Sequence, residues 1–557
     1  MDLLGPNGLR VSMNAQFVMR NRRGAICPKY LQVETLKMRF KTPQFQYSLR
    51  EAEDFALTTA KKLGIPRSAI ISWDFDKKSL DVRQKKPKFQ ATLLLDIEGD
   101  PALKRKLEDR GCTAFVQPST LPAFSKRECP PHVCIVGAGP SGLFAAMTFA
   151  EAGFKVDIFE RGKQVYERSH DIAALMHRGV LHPESNICFG EGGAGTYSDG
   201  KLMTRTKSKY IPLILDRFVQ FGADSRIRYE SHPHIGTDRL MPLLIEMRKW
   251  LESKGVVYHF ECRVEALWLE NSRCRGIVVN GEKTPFDAVF LGIGHSADDL
   301  YEQMHAQGIA MTPKPFAIGV RVEHPQALIN SIQYGSYAGH PLLPPAEYAV
   351  RFNHETLPSV FSFCMCPGGR VIASQTSKDA RVVNGMSGSM RNGKFANSAL
   401  VVQVDESMYE PGALGGLHWI RKLEKKAAGL SSPAFAPAQG MMDFLQKRKP
   451  TTAPKTTYSP GTYGVDLHNI LPQKICQALE AALPVFDRQM HGFVTEQANL
   501  IGIESRTSSP VRILRGDDYQ AVGTPGLYPI GEGAGYAGGI TSCALDGMSA
   551  ALSLISN

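Results

Sequence analysis

A chain of 557 residues is too long to close around a single core, so two or three domains are expected. With 43% hydrophobic and 21% charged residues its composition is that of an ordinary soluble globular protein. The formal charge of +11 is mild over this length and reads as a well-solvated basic surface, so charge alone selects neither an anionic ligand nor nucleic acid. Eleven cysteines show no disulfide-like spacing, which fits a reducing, cytoplasmic compartment.

In chain order, residues 1–30 carry Arg10, Arg20, Arg22 and Arg23 with Asp2 as the only acid. They lack the serine richness and amphipathic pattern of an organelle leader and read as a disordered extension, with Met38 as an alternative start. Residues 31–128 read as strand, helix, strand, strand, helix. The helix at 51–63 (EAEDFALTTAKKL) is ended by Gly64, and AIISWDF and ATLLLDI are strands around a basic turn. The pattern predicts a small α+β unit of ferredoxin-like type. Its cluster of Lys77, Lys78, Arg83, Lys85, Lys86 and Lys88 reads as a solvated hairpin tip, because no aromatic stacking platform for RNA is interleaved with it.

A linker (KRECPP, 126–131) leads into VCIVGAG, SGLFAAMTFAEAG and VDIFERG, a βαβ unit. The long apolar stretch from Val133 to Phe154 is not a membrane span, since Gly137, Gly139, Pro140 and Gly142 interrupt its first half. Strands are predicted near 256–268, 275–280 and 287–292. Residues 311–495 hold short strands and Pro-rich loops, and the chain closes with a strand, a Gly-rich turn and a helix.

The chemistry is concentrated in two glycine clusters. In Gly137-Ala138-Gly139-Pro140-Ser141-Gly142, Gly137 permits the tight turn, Gly139 lets the backbone approach a pyrophosphate, and Gly142 lets the helix pack close to the strand. The following helix offers free N–H groups and a partial positive charge to phosphates. Glu160 closes the second strand at about the 20-residue offset of an acid that holds ribose hydroxyls. The fingerprint does not separate FAD from NAD. The segment Gly531-Glu532-Gly533-Ala534-Gly535-Tyr536-Ala537-Gly538-Gly539-Ile540 favours FAD, because so many glycines before a helix let main chain run along an extended cofactor. No second GxGxxG follows a strand elsewhere, so a separate NAD(P)H domain is not expected, although NAD(P)H remains a candidate transient reductant.

These features resemble the glutathione-reductase-type flavoprotein superfamily. More narrowly, the chain is similar to bacterial and plastid FAD-dependent dehydrogenases of unknown substrate. The matching strings include PESNICFGEGGAGTYSDGKL (183–202), PHIGTDRL (233–240), LGIGHSADDL (291–300), KPFAIGVRVEHPQ (314–326), FSFCMCPGG (361–369) and ESRTSSPV (504–511). The resemblance runs from about residue 32 to the end. It implies FAD contacts from Gly137, Ala138, Gly139, Pro140, Ser141 and Gly142 at the pyrophosphate, and from Glu160 and Arg161 at the adenosine ribose. It also implies Gly193, Ala194, Gly195, Thr196 and Lys201 near flavin or phosphates, and Val264 at adenine. Gly294, Gly531, Glu532, Gly538, Gly539 and Ile540 would complete the cradle. Two departures stand out: Gly292-Ile293-Gly294 replaces an Ala-Thr-Gly turn, and Gly531-Glu532 replaces Gly-Asp. A carboxylate beside phosphate needs a bridging proton or water, so the flavin-tail oxygen that Glu532 meets is open. Cys188 stands where relatives have a polar amide and receives no role.

No catalytic residue is assigned. Cys364 and Cys366 are candidates: their spacing differs from CxxC and reads as buried packing beside the substrate pocket, with redox chemistry as the alternative. Arg321, His324, Arg391 and Arg506 are candidate substrate anchors or else structural partners. No metal site is expected, His232-Pro233-His234 reading as a loop. The expected architecture is an α/β, Rossmann-like FAD domain at 129–310 (206–234 partly an insertion) and 495–557. A β-rich substrate cap at 311–494 and the N-terminal unit complete it. The function expected is an FAD-dependent oxidoreductase passing hydride between flavin N5 and a small organic substrate. The alternatives are an RNA-linked flavoprotein and a non-catalytic flavin-bound sensor. Oligomeric state is not legible.

Overall fold

The computed structural model describes residues 36–83, 86–116, 120–122, 124, 128–429 and 434–556; the extension expected at 1–30 lies outside the described residues. The N-terminal unit comprises β1 (Leu36–Lys41), β2 (Phe45–Ser48), α1 (Phe55–Leu63), β3 (Ile70–Asp81), β4 (Lys88–Gly99), α2 (Pro101–Asp109) and β5 (Thr113–Ala114). α1 starts where the Asp54 carboxylate accepts from the Leu57 N–H at 2.9 Å and stops at Gly64, which takes φ +68°. β4 pairs antiparallel with β3 along one edge and with β1 and β2 in line along the other, while β5 extends β1. Counting β1 and β2 as one bent strand, this is a βαββαβ unit with its last strand beside its first, the expected ferredoxin-like arrangement.

The basic cluster of this unit is thinner than its sequence suggests. Lys78 lays its ammonium over the rings of Phe55, Phe75 and Phe89, and its backbone bonds to Tyr229 and Ser231 of the next domain. Arg83 is bound to Asp81. A strand edge docked on protein, with its lysine stem covering aromatic surface, is not a free RNA platform.

The second domain begins with β6 (His132–Val136), α3 (Pro140–Glu151), β7 (Lys155–Phe159), α4 (Val165–Arg178), α5 (Ile211–Gln220), α6 (Thr237–Ser253) and β8 (Val257–His259). A three-stranded antiparallel layer follows, β9 (Val264–Glu270), β10 (Arg273–Val279) and β11 (Glu282–Pro285), then β12 (Ala288–Leu291) and α7 (Asp298–Ala306). The segment at 206–234, expected to be partly an insertion, contributes to this domain's core: Ile214 and Phe218 of α5 are buried, and Phe218 meets Phe144 of α3 edge-on at 5.3 Å.

The cap holds β13 (Met311–Pro313), β14 (Phe316–Pro325), α8 (Gln326–Tyr334), β15 (Arg351–Phe352), β16 (Val360–Cys366), β17 (Arg370–Ala373), β18 (Val383–Met386) and β19 (Phe395–Val404). It continues through α9 (Gly415–Ala428), β20 (Ala436–Gly440), α10 (Met441–Leu445), β21 (Thr462–Gly464), α11 (Gln473–Gln489) and β22 (Asn499–Glu504). Its main sheet has seven strands in the order β15-β16-β19-β14-β22-β20-β21. β22 lies inside that sheet, so the cap runs to Glu504 and not to 494 as expected from sequence. A six-residue strand with no turn signal before it carries no mark of the sheet it joins.

The chain then returns through β23 (Val511–Ile513), β24 (Leu527–Pro529) and α12 (Ile540–Ser556). β24-β12-β6-β7-β8 form one parallel five-stranded sheet whose strand order reverses on either side of β6, opening a crevice at the carboxyl ends of β6 and β12. α12 packs across α3 at Gly547, where a methyl group would stand 1.9 Å from the Ser141 carbonyl oxygen. Among the described residues no helix is long and apolar enough to cross a membrane.

Candidate functional site

The crevice is built by close approach of backbone from distant parts of the chain. A Cβ on Gly137, at φ +100°, would lie 2.4 Å from the Gly292 oxygen, and one on Gly142 would lie 2.1 Å from the Gly137 oxygen. Similar contacts join Gly193 to Gly139, Gly195 to Ile540, Gly531 to Ser141 and Gly533 to Gly294. The predicted segments around 137–142, 193–195, 292–294 and 531–540 therefore converge on one place. Gly139, Gly294, Gly538 and Gly539 differ from these: a Cβ there would meet nothing within 4 Å. Their bare backbone faces open space, which is the form of a cradle for an extended, phosphate-bearing cofactor.

Side chains invisible to motif reading hold this backbone in place. Arg168 of α4 is fully buried, and its guanidinium donates to the carbonyls of Asn186, Ile187, Glu191 and Gly193 at 2.7–3.0 Å. It thereby shapes the loop that carries Gly193–Thr196. The Tyr301 hydroxyl lies 2.6 Å from the Gly533 oxygen and 3.1 Å from that of Gly294, joining two glycine turns. Asp546 of α12 accepts the Gly531 N–H at 2.7 Å while Arg515 grips it with both nitrogens. In sequence, Arg168 reads only as one polar residue of an amphipathic helix.

Glu160 is buried and accepts three backbone N–H groups: Ala138 at 3.0 Å, Gly162 at 2.9 Å and Gly190 at 2.9 Å. A carboxylate has about four lone-pair sites, so room for a ribose hydroxyl remains. Arg161 is placed otherwise than expected. It pairs with Glu184 at 2.6 Å and Asp299 at 3.0 Å and lies over the Phe189 ring, so it braces the turn and is not free to hold ribose. The Thr196 hydroxyl is spent on the Glu191 carbonyl, leaving its backbone for a ligand. Val264 opens β9, two residues beyond Cys262, whose N–H donates to the Glu160 oxygen; this puts it beside the Glu160 turn. Burial pushes the Glu532 carboxyl up to about 7, with the Lys314 charge opposing. A protonated acid here would supply the proton that a carboxylate beside phosphate requires.

The opposite wall joins Lys201 of the second domain to the cap. Lys201 pairs with Asp199 at 3.0 Å and donates to the Met365 carbonyl between Cys364 and Cys366. Next to it, the Leu202 carbonyl accepts the Thr541 hydroxyl at 2.7 Å, which ties this lysine segment to the first turn of α12. The cap thiols thus stand across Lys201 from the cradle. β16 is irregular at this point, with its register against β19 shifting between Phe363 and Cys366 and Cys364 at φ +46°.

The candidate anchors are corrected by their surroundings. Arg321 is fully buried, paired with Glu504 at 3.0 Å and bonded to Asn384, Asn397 and the Cys364 carbonyl. Arg506 is bound to Glu424 at 2.9 Å and Asp298 at 3.4 Å, and Arg391 to Asp199 and Glu347. Each guanidinium has its counter-charge inside the protein, so none is a free anchor. His324 is buried in the cap core against Phe493, donating from Nε2 to the Phe493 carbonyl at 2.8 Å, and burial drives it down to about 4. It is a packing residue. His232 faces Glu347 and His234 faces the Ser389 carbonyl, and among the described residues no group of three or more ligating side chains gathers.

A parallel sheet with a glycine cradle at its switch point and a mixed-sheet cap defines a dinucleotide-binding protein with a separate cap. Residues 315–507 match the family described as FAD-dependent protein, C-terminal domain-like, and residues 135–182 match an NAD(P)-binding Rossmann-like domain. An uncharacterised protein of Clostridium beijerinckii is 37% identical over 503 residues, 89% of this chain and 94% of its own. The chain belongs with that protein to the family of FAD-dependent proteins marked by this C-terminal domain. Among solved structures, CtdE in complex with FAD aligns over 76% of this chain and 84% of its own at 13% identity, with a TM-score of 0.31. A geranylgeranyl bacteriochlorophyll reductase-like protein from Thermoplasma acidophilum aligns over 76% and 77% at 11% identity, with a TM-score of 0.34.

Proposed function

We propose that this protein transfers hydride between FAD and a small organic substrate held between the cradle and the cap. The observation that carries the reading is the convergence of the four glycine segments on one crevice, closed on its far side by Lys201 and the cap strand at 364–366. The residues fit the cofactor: open backbone at Gly139, Gly294, Gly538 and Gly539 suits a pyrophosphate and an extended tail, and Glu160 retains a site for ribose. Bound FAD would supply hydride chemistry at its N5.

The protein's own part is positioning and exclusion of water. The first turn of α3 offers N–H groups at Ser141 and Gly142, and α12 offers its N-terminal turn at Ile540 and Thr541. Lys201 holds a positive charge at the crevice: burial opposes its charge, but Asp199 restores it and holds its affinity for the proton above the ordinary lysine value. Such a charge stabilises negative charge developing on bound substrate. With a single parallel five-stranded sheet among the described residues, NAD(P)H would act as a transient reductant. The free thiols of the described cysteines suit a reducing, cytoplasmic setting.

The test is to purify the protein, release its chromophore with acid and identify it by chromatography. Fractions of a metabolite extract are then screened anaerobically for bleaching of the flavin band. A yellow protein bleached by a defined fraction is expected; a colourless protein that takes up no added FAD would overturn the reading.

A further inference from the structure

We propose that Cys364 and Cys366 form a reversible dithiol–disulfide pair that exchanges two electrons with the flavin of this site. The inference rests on the flavin reading above and adds a redox element to it.

Geometry carries the argument. Two Cα atoms separated by one residue lie no more than about 7 Å apart, at the edge of the span of about 4.4–6.8 Å that a disulfide bridges. The register of β16 against β19 shifts between Phe363 and Cys366, so the two cysteines lie at a bulge and not in regular strand. The Cys366 thiol donates to the Cys364 carbonyl at 3.3 Å. Arg321 Nη2 joins both residues, at 2.6 Å from the Cys364 oxygen and 3.4 Å from the Cys366 sulfur. On the other side Lys201 grips the intervening Met365 carbonyl and leads directly to the segment that touches α12.

The electrostatics divide the roles. Hydrogen bonding from Cys366 brings the Cys364 thiol down to about 6; burial opposes this, and Arg321 and Lys201 assist. Cys366 is pushed up by the same bond and by burial. Negative charge in the pair is therefore favoured on Cys364 over Cys366. Cys364 is also the more exposed of the two, and Cys366 is fully buried. Cys364 is the sulfur open to exchange with an external thiol or disulfide, and Cys366 is the resolving thiol. In the oxidative direction an S–S bond forms between them, and the two S–H (or S⁻) groups give up two electrons and their protons. Oxidised flavin takes up the two electrons, with protons, to become reduced flavin. Dithiol plus FAD thus balances disulfide plus FADH2.

The test uses full-length holoprotein, oxidised with diamide, freed of reagent and titrated anaerobically with dithionite while the flavin band is followed. Four electrons per flavin are expected in the wild type and two in Cys364→Ser. Before titration, the peptide spanning 352–370 from the oxidised wild type should resist alkylation at both cysteines and be lighter by two hydrogens. If Cys364→Ser fails to fold, Cys366→Ala gives the same contrast. Two electrons in the wild type, with both cysteines alkylated after diamide, would overturn the proposal. A protein that binds no flavin fails the earlier reading instead, and the mass of the 352–370 peptide still reports whether the two sulfurs join.

Discussion

The cradle and the cap wall face each other across one crevice but recognise in different ways. The cradle works with backbone: its turns are held by contacts such as a prospective Cβ on Gly142 only 2.1 Å from the Gly137 oxygen, and by Arg168, Tyr301 and Asp546 behind them. The cap wall works with side chains, where Lys201, Arg321, Cys364 and Cys366 are brought together from three separate strands or loops. Backbone recognition tolerates no added atoms but needs few charges. Side-chain recognition depends on which counter-charge each group finds after folding.

The sharpest way to break this contrast is at the cradle. Gly142→Val should abolish flavin retention, because its side chain collides with backbone that cannot move, and strain of about 3 kcal/mol or more is expected in the empty protein. Flavin absorbance per protein and the thermal midpoint check it; retention of full flavin content would show that α3 packs otherwise.

Arg168→Met comes next. It takes a donor from the carbonyls of Asn186, Ile187 and Gly193 and leaves that of Glu191 to Thr196 alone, at about 1–3 kcal/mol for each group left unsatisfied, so both the thermal midpoint and FAD affinity should fall, the latter by about a hundredfold. Titration of the apoprotein with FAD, followed by quenching of flavin fluorescence, measures the second effect.

A smaller effect comes from pH. Glu532 is raised to about 7 by burial, so in the folded apoprotein it stays protonated where the unfolded chain would ionise it. The folded state then binds more protons than the unfolded one between the ordinary value of 4.5 and about 7, and its stability falls as pH rises through that window. FAD should bind about tenfold more weakly at pH 8 than at pH 6, since the ionised acid repels phosphate. Glu532→Gln should flatten both profiles; an unchanged slope would place the titration elsewhere.

The smallest change is expected from Arg161→Gln. Its partners Glu184 and Asp299 are partly exposed, so breaking these pairs should cost about 1 kcal/mol and weaken FAD only a few-fold. A loss comparable to that of Arg168→Met would restore Arg161 as a direct cofactor contact.

Much of the cradle was legible because its requirements are local. A glycine needed for positive φ or close approach is visible as a glycine, and the strand, turn, helix and acid of the βαβ unit follow one another within about 30 residues. The ferredoxin-like unit was legible for the same reason, its helices and hairpin lying close in sequence. Arg168 was not legible, because an arginine in a helix looks identical whether it meets solvent or four carbonyls. The same blindness made Arg321, Arg391 and Arg506 look like anchors. β22 slipped across the domain boundary because strand pairing in the cap is non-local.

The amino-acid order alone therefore determined where backbone is bare, and with it the class of cofactor. Folding decided where charge and sulfur go: the acids Glu504, Glu424 and Asp199 neutralise three arginines that the sequence leaves open, and Lys201 meets a strand 164 residues away. The reason is range. A missing side chain acts on its own turn, whereas an ion pair or a thiol pocket exists only once distant segments have excluded water between them.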